Sequence, residues 1–160
     1  MTLTLETDVG YLFEVNKQHR NGIPDCFLQA AAAGRIGRGR ERDRLLLHMH
    51  FQEGTSESSG LKELLTLAHR HYYDTSGSVT AAARAAINAA NMSMLESNRA
   101  GGAPPLQAGL TCAVMRGTEL YVTQAGPGKT LVLRQESSEQ FPDRKCSLRP
   151  LGVADKSEIY

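Results

Sequence analysis

Apolar residues in the middle of the chain recur with a helical period. Leu61, Leu64, Leu65, Ala68 and Tyr72 fall at i, i+3, i+4, i+7 and i+11, so the spacing predicts one buried helix face. Asp74 to Ser78 (DTSGS) breaks that run, and Ser78 is placed to cap a second helix. Val79, Ala82, Ala83, Ala86, Ile87, Ala90, Met94 and Leu95 form its apolar stripe, in which the many alanines permit close approach to a neighbour. A short connection predicts that the two helices lie antiparallel.

The flanks read differently. Leu3 to Val15 alternates, with Val9, Tyr11 and Phe13 on one side, and Cys26 to Ala33 and Leu45 to Phe51 are further strand-like runs. Asn21-Gly22 reads as a turn, while Gly34 to Asp43 and Gly54 to Gly60 read as polar loops. After a loop at Arg99 to Pro105 come short strands at Thr111 to Met115, Leu120 to Ala125 and Thr130 to Leu133. Ser137 to Arg144, with Pro142, reads as a loop, and Cys146 to Leu151 as a last edge strand. Strands, two helices, then strands predict an α+β fold with helices layered on an antiparallel sheet.

Composition narrows the function classes. At 160 residues and 41% apolar, the chain can bury one core, so residues 1–160 are expected to form a single domain. The net charge of +1 gives no global field for nucleic acid. Cys26, Cys112 and Cys146 are odd in number and lack any Cys-x-x-Cys, which predicts reduced thiols. The first ten residues do not read as a signal peptide, and no window is apolar enough for a membrane span, so a soluble cytoplasmic protein is expected.

Four stretches resemble, in order, the PPM-type (type 2C) metal-dependent serine/threonine protein phosphatases. Thr7-Asp8-Val9-Gly10 resembles the opening strand, which in that family runs on to Asn-Glu-Asp where this chain has Asn16-Lys17-Gln18. Leu45 to Gly54 (LLLHMHFQEG) resembles the strand entering Asp-Gly-Met-Gly-Gly, and Ala85 to Asn91 resembles the family's second helix. Gly109-Leu110-Thr111 resembles Gly-Thr-Thr, and Leu120-Tyr121-Val122 with Gly126-Pro127-Gly128-Lys129 resembles the strand before Gly-Asp-Ser-Arg. The likeness runs from Thr7 to Leu151.

The resemblance implies a β-sandwich flanked by antiparallel helix pairs. It also implies two hard cations, Mn²⁺ or Mg²⁺, that activate a water against a phosphoserine or phosphothreonine. Carried across position by position, the ligand set is lost: the family's metal positions fall on Lys17 or Gln18, on His50 and on Phe51. The acid after Gly126 is Pro127, and Phe13 and Glu14 stand at the early phosphate-binding arginine. The resemblance puts the family's last strands beyond Tyr160, so either a fragment of a longer chain or a shortened fold with an exposed sheet edge open to a second copy is expected. Losing the bridging carboxylate removes metal affinity and nearly all rate.

Other signals yield to plainer readings. Gly126 to Thr130 ends in Gly-Lys-Thr, but Thr123 stands where a phosphate loop needs its first glycine, and a strand follows, so a hairpin turn is expected. His48-x-His50 puts two imidazoles on one strand face, whereas His69 and His71 point to different faces of a helix, so a zinc site is not expected. Ser56, Ser58 and Ser59 lack a Gly-x-Ser-x-Gly setting. Arg35, Arg38, Arg40 and Arg42 make a basic loop with no interleaved aromatics, suited to a protein partner carrying acidic or phosphorylated groups rather than to nucleic acid.

The expectation is a catalytically degenerate PPM-type domain acting as a binding or regulatory module, with no metal cofactor. One alternative is an active phosphatase in which His48, His50 and downstream acids hold a metal. The other is a structural domain of a longer protein.

Overall fold

The computed structural model describes residues 8–10, 14–15, 17–19, 26–30, 36–51, 60–101, 104–143, 146 and 148–160. Two short strands, β1 (Glu14–Val15) and β2 (Gln18–His19), pair around Lys17, whose φ of 63° makes the turn. The main sheet begins with β3 (Phe27–Ala30) and β4 (Asp43–Phe51). Helices α1 (Leu61–Asp74) and α2 (Val79–Ala100) follow, then β5 (Ala108–Arg116) and β6 (Glu119–Ala125). A second two-stranded sheet, β7 (Thr130–Leu133) and β8 (Ser138–Phe141), closes the order. The main sheet is fully antiparallel and runs β3-β4-β5-β6.

The period of two along β4 and β5 decides which face is buried. Leu45, Leu47 and Met49 lie opposite Val114, Cys112 and Leu110, and all six side chains are buried. Leu46, His48 and His50 alternate with them and turn to the other face. The helix pair covers the first face through Leu64, Leu65, Ala68 and Tyr72 of α1 and Ala82, Ala83, Ala86, Ile87, Ala90 and Met94 of α2. Truncating a leucine such as Leu47 or Leu65 in so closed a core costs about 2–5 kcal/mol. Burial also pushes the Cys112 thiol up to about 12.

The second helix starts as predicted, with Ser78 Oγ accepting from the Ala81 amide at 3.1 Å. It runs beyond the apolar stripe and through Arg99, ending where Gly101 takes φ 73°. Its polar residues hold the later chain. Asn98 bonds the Leu106 amide and carbonyl and the Gly152 carbonyl, and Asn91 bonds the Ala154 carbonyl and Gly152 amide.

Four expectations are corrected. Ser138–Phe141 is a strand rather than loop, because its polar sequence pairs along β7 at the surface, where alternation carries little signal. Among the described residues of 146–151, a single bridge, Leu151 to Ala108, stands in place of an edge strand. Among the described residues of the first expected strand, Val9 lies outside any strand and Glu14–Val15 are paired; Leu3 to Thr7, Tyr11 to Phe13 and Asn21-Gly22 lie outside the described residues. The fourth concerns Arg40, expected in a solvated loop.

Arg40 is fully buried. Its guanidinium donates to the carbonyls of Thr75 (3.2 Å), Gly77 (2.9 Å) and Ser78 (2.6 Å) in the α1–α2 connection, the last of which also takes the Ala82 amide. It also lies 5.2 Å over the Tyr72 ring and 3.4 Å from the Asp43 carboxylate. Asp43 in turn accepts a two-toothed fork from Arg116, at 2.6 and 2.8 Å, and a 2.7 Å bond from the Tyr72 hydroxyl. Burial alone would raise the Asp43 carboxyl, but the Arg116 fork, the Tyr72 hydroxyl and the two guanidinium charges hold it below the usual carboxylate range. Burial first, then Asp43, drives the Tyr72 phenol far up, so it stays a donor.

Removing Asp43 leaves the buried Arg40 without its counter-ion, which predicts a loss of about 3–5 kcal/mol for Asp43→Ala. Urea denaturation checks this; a loss below 1 kcal/mol would mean the cluster is incidental.

Candidate functional site

The outer face and one end of the main sheet gather the residues that the sequence singled out around position 50. His50 lies near the end of β4, opposite Gly109 of β5. A Cβ on Gly109 would collide with the His50 ring and with the Pro127 carbonyl. A Cβ on Gly128 would sit 2.5 Å from His50 Cε1 and 2.6 Å from Gln124 Nε2. At Gly126, φ of +75° and an approach of 2.5 Å to the Ala108 carbonyl exclude any larger residue. Gly109 and Gly128 therefore form a bed that the imidazole fills, and Gly126 lets the turn that carries Gly128 pass close to Ala108 and Gly109.

Gln124 completes the bed. It is fully buried, and its Oε1 accepts from Thr130 at 3.3 Å while its Nε2 has no partner among the described residues. His48 stacks on His50 with centroids 5.8 Å apart, as the strand period predicts. Burial, and then the neighbouring His48, hold the His50 imidazole below its ordinary titration range; burial does the same for His48. Among the described residues, no acidic group is recorded as acting on either ring.

The remaining expected positions lie apart. Gln18 and Lys17 are exposed on the β1–β2 hairpin, and among the described strands and helices those two strands approach only each other. Phe51 is half-buried against the core beyond His50. His69 packs on Tyr73 at 4.8 Å from centroid to centroid, and its helix covers the buried sheet face, opposite His48 and His50; His71 is exposed. Gly126–Lys129 is not a hairpin turn, because β7 pairs with β8 and not with β6; it passes the chain from one sheet to another. Ser56, Ser58, Ser59 and Arg35 lie outside the described residues.

Of the basic loop, Arg38 and Arg42 are exposed and Arg40 is not. Arg38 lines an open groove of about 920 Å³ with Ile36, Gly37, Glu41, Asp74 and Ser76. Sequence reasoning passed over Gln124; a polar residue opposite Thr111 in the ladder, just before a Gly-x-Gly turn, was its only signal.

No family model and no curated protein matches the sequence. Solved structures do match the fold. Serine/threonine phosphatase Stp1 from Staphylococcus aureus superposes with a TM-score of 0.58 at 11% identity, over 84% of this chain and 68% of that one. The fold is that of the PPM-type phosphatases. PppA of Pseudomonas aeruginosa shares it (TM-score 0.52, 13% identity, 84% and 69% covered). So does the catalytic domain of the serine/threonine phosphatase PstP, solved with two manganese ions (TM-score 0.53, 17% identity, 84% and 69% covered).

A PPM-like fold invites the question of a metal pair. Hard cations take several oxygen ligands, chiefly carboxylates and water. Position 50 supplies an imidazole wedged among glycines, and no group of three or more His, Cys, Asp or Glu able to hold a metal ion occurs among the described residues. The described residues do not fit such a pair.

Two outcomes are expected. Gly128→Ala should cost about 1–3 kcal/mol through overpacking, and most of that should return in a His50→Ala background. Gly109→Ala should not be rescued, since a backbone carbonyl obstructs it; urea midpoints of the two glycine variants, of His50→Ala and of the two double variants check both. Because the folded His50 resists its proton, the unfolded chain binds it first as the pH drops. Stability should be full above the ordinary value of 6.5 and fall below it. Thermal melts from pH 7.5 to 5.0 should show this decline, and His50→Gln should reduce it.

Proposed function

We propose that this chain is a PPM-like domain that has given up metal-dependent phosphoester hydrolysis and works in the cytoplasm as a binding or regulatory module. The observation that carries the reading is the packing of His50. In the family the resemblance names, that position bears a bridging carboxylate; here an imidazole packed against Gly109 and Gly128 stands in its place. Pro127 follows Gly126 where the family has a second acid, and it shapes the turn that closes over the ring.

The partner in this reading is a protein segment bearing acidic or phosphorylated groups, met by Arg38 and Arg42. Arginine forks suit such groups, and Arg38 opens on a groove able to seat a side chain. Arg40 is excluded, since it is fully buried and its guanidinium serves the helix connection and Asp43.

Calorimetry with Mn²⁺ alongside p-nitrophenyl phosphate turnover tests the catalytic half, with silence in both as the expected outcome. Micromolar Mn²⁺ binding together with turnover that falls in His50→Ala would overturn it. For the binding half, a phosphoserine peptide array read by fluorescence anisotropy should yield binders that Arg38→Glu with Arg42→Glu weakens about tenfold or more.

A further inference from the structure

The groove beside Arg38 carries both signs of charge. One wall is the loop of residues 36–41, and the other is the end of α1 and the turn after it, with Asp74 and Ser76. The walls are joined beneath. The Gly37 amide donates to the Tyr73 carbonyl at 2.6 Å, and Arg40 reaches from the first wall to the Thr75, Gly77 and Ser78 carbonyls of the second. A Cβ at Gly37 would stand 2.8 Å from the Tyr73 carbonyl, so the two segments touch where glycine fits. A groove held in this way is shaped before anything enters it, which keeps the ordering cost of binding low.

Its charges do not satisfy one another. Arg38, Glu41 and Asp74 are all exposed, and among the described residues none of them forms an ion pair. Glu41 turns its Oε1 to the Gly39 amide, at 3.3 Å, rather than to Arg38. Asp74 is the last residue of α1, where the negative end of the helix dipole disfavours a carboxylate. An acid set against its own helix and left without a counter-ion has its attraction for a cation still unused.

A segment bearing phosphate alone does not suit this lining. Its phosphate would meet the arginines, but Glu41 and Asp74 would repel it and any acidic neighbour. We infer, on the basis of the reading above, that the partner is a protein segment in which a phosphorylated side chain is flanked by lysine or arginine. The phosphate meets Arg38 and Arg42, and the flanking cation meets Glu41 and Asp74. The two acids then act as a filter against polyacidic segments and against nucleic acid, whose charge has a single sign.

Fluorescence anisotropy on the full chain tests this with three degenerate phosphoserine peptide pools, which fix arginine, alanine or glutamate on both sides of the phosphoserine. The arginine pool should bind about fivefold or more tighter than the alanine pool, and the glutamate pool should bind most weakly. Glu41→Lys with Asp74→Lys should reverse that order while leaving the phosphate necessary; both positions are exposed, and thermal melts check that the fold is kept. Arg38→Glu with Arg42→Glu separates the two readings. If that pair leaves every pool unaffected, or if no pool binds, the phosphopeptide reading fails and this inference fails with it. An unphosphorylated arginine pool that binds as tightly as the phosphorylated one also overturns both. Binding that the arginines control, but that is equal across the pools or keeps its order in the lysine variant, overturns the flanking cation alone.

Discussion

One buried carboxylate ties together parts of the fold that sequence order keeps apart. Asp43 opens β4, and its two oxygens take the Arg116 fork from the end of β5, the Tyr72 hydroxyl from α1 and the approach of Arg40. Arg40 passes the constraint on, closing three carbonyls between the helices. A helix pair lying on a sheet could slide along it. This cluster removes that freedom, because moving α1 by one turn would strand an acid and an arginine in a low-dielectric interior. The burial of Leu45, Leu47 and Met49 against the helices takes its register from there.

The same alternation that fills the core sets the character of the opposite face. Because β4 has period two, fixing Leu45, Leu47 and Met49 inward forces Leu46, His48 and His50 outward. The chemistry at position 50 therefore sits on a rigid strand, aligned with Gly109 by the ladder. What it meets is glycine rather than acid, and the turn from Gly126 to Lys129 is shaped to that meeting. The chain shares its fold with the phosphatases Stp1 and PstP, and this is how the end of its own sheet is built.

Much of this was legible in the chain. The helices declared themselves through Leu61 to Tyr72 and Val79 to Leu95, and Ser78 through its capping position; the central strands showed in runs such as Leu45 to Phe51. Arg40 was not legible. An arginine in a run of glycine and charge reads as solvated, and its partners stand 35 to 38 positions later. Nor does anything local join Asp43 to Arg116, 73 positions away. His50 was visible as a substitution, but the bed that receives it is a meeting of three distant segments. The polar strand Ser138–Phe141 was hidden for a different reason: at a wet surface, pairing depends on the neighbouring strand and leaves no apolar period behind.

The glycine bed also has a historical consequence. A side chain and its surroundings that have come to fit one another no longer change independently. Aspartate at position 50 would be smaller than the ring it replaced, leaving a gap above Gly109 and Gly128, with Pro127 holding the turn and no second acid beside it. His50, Gly109 and Gly128 are thus expected to change together or not at all, each one limiting what the other two positions accept.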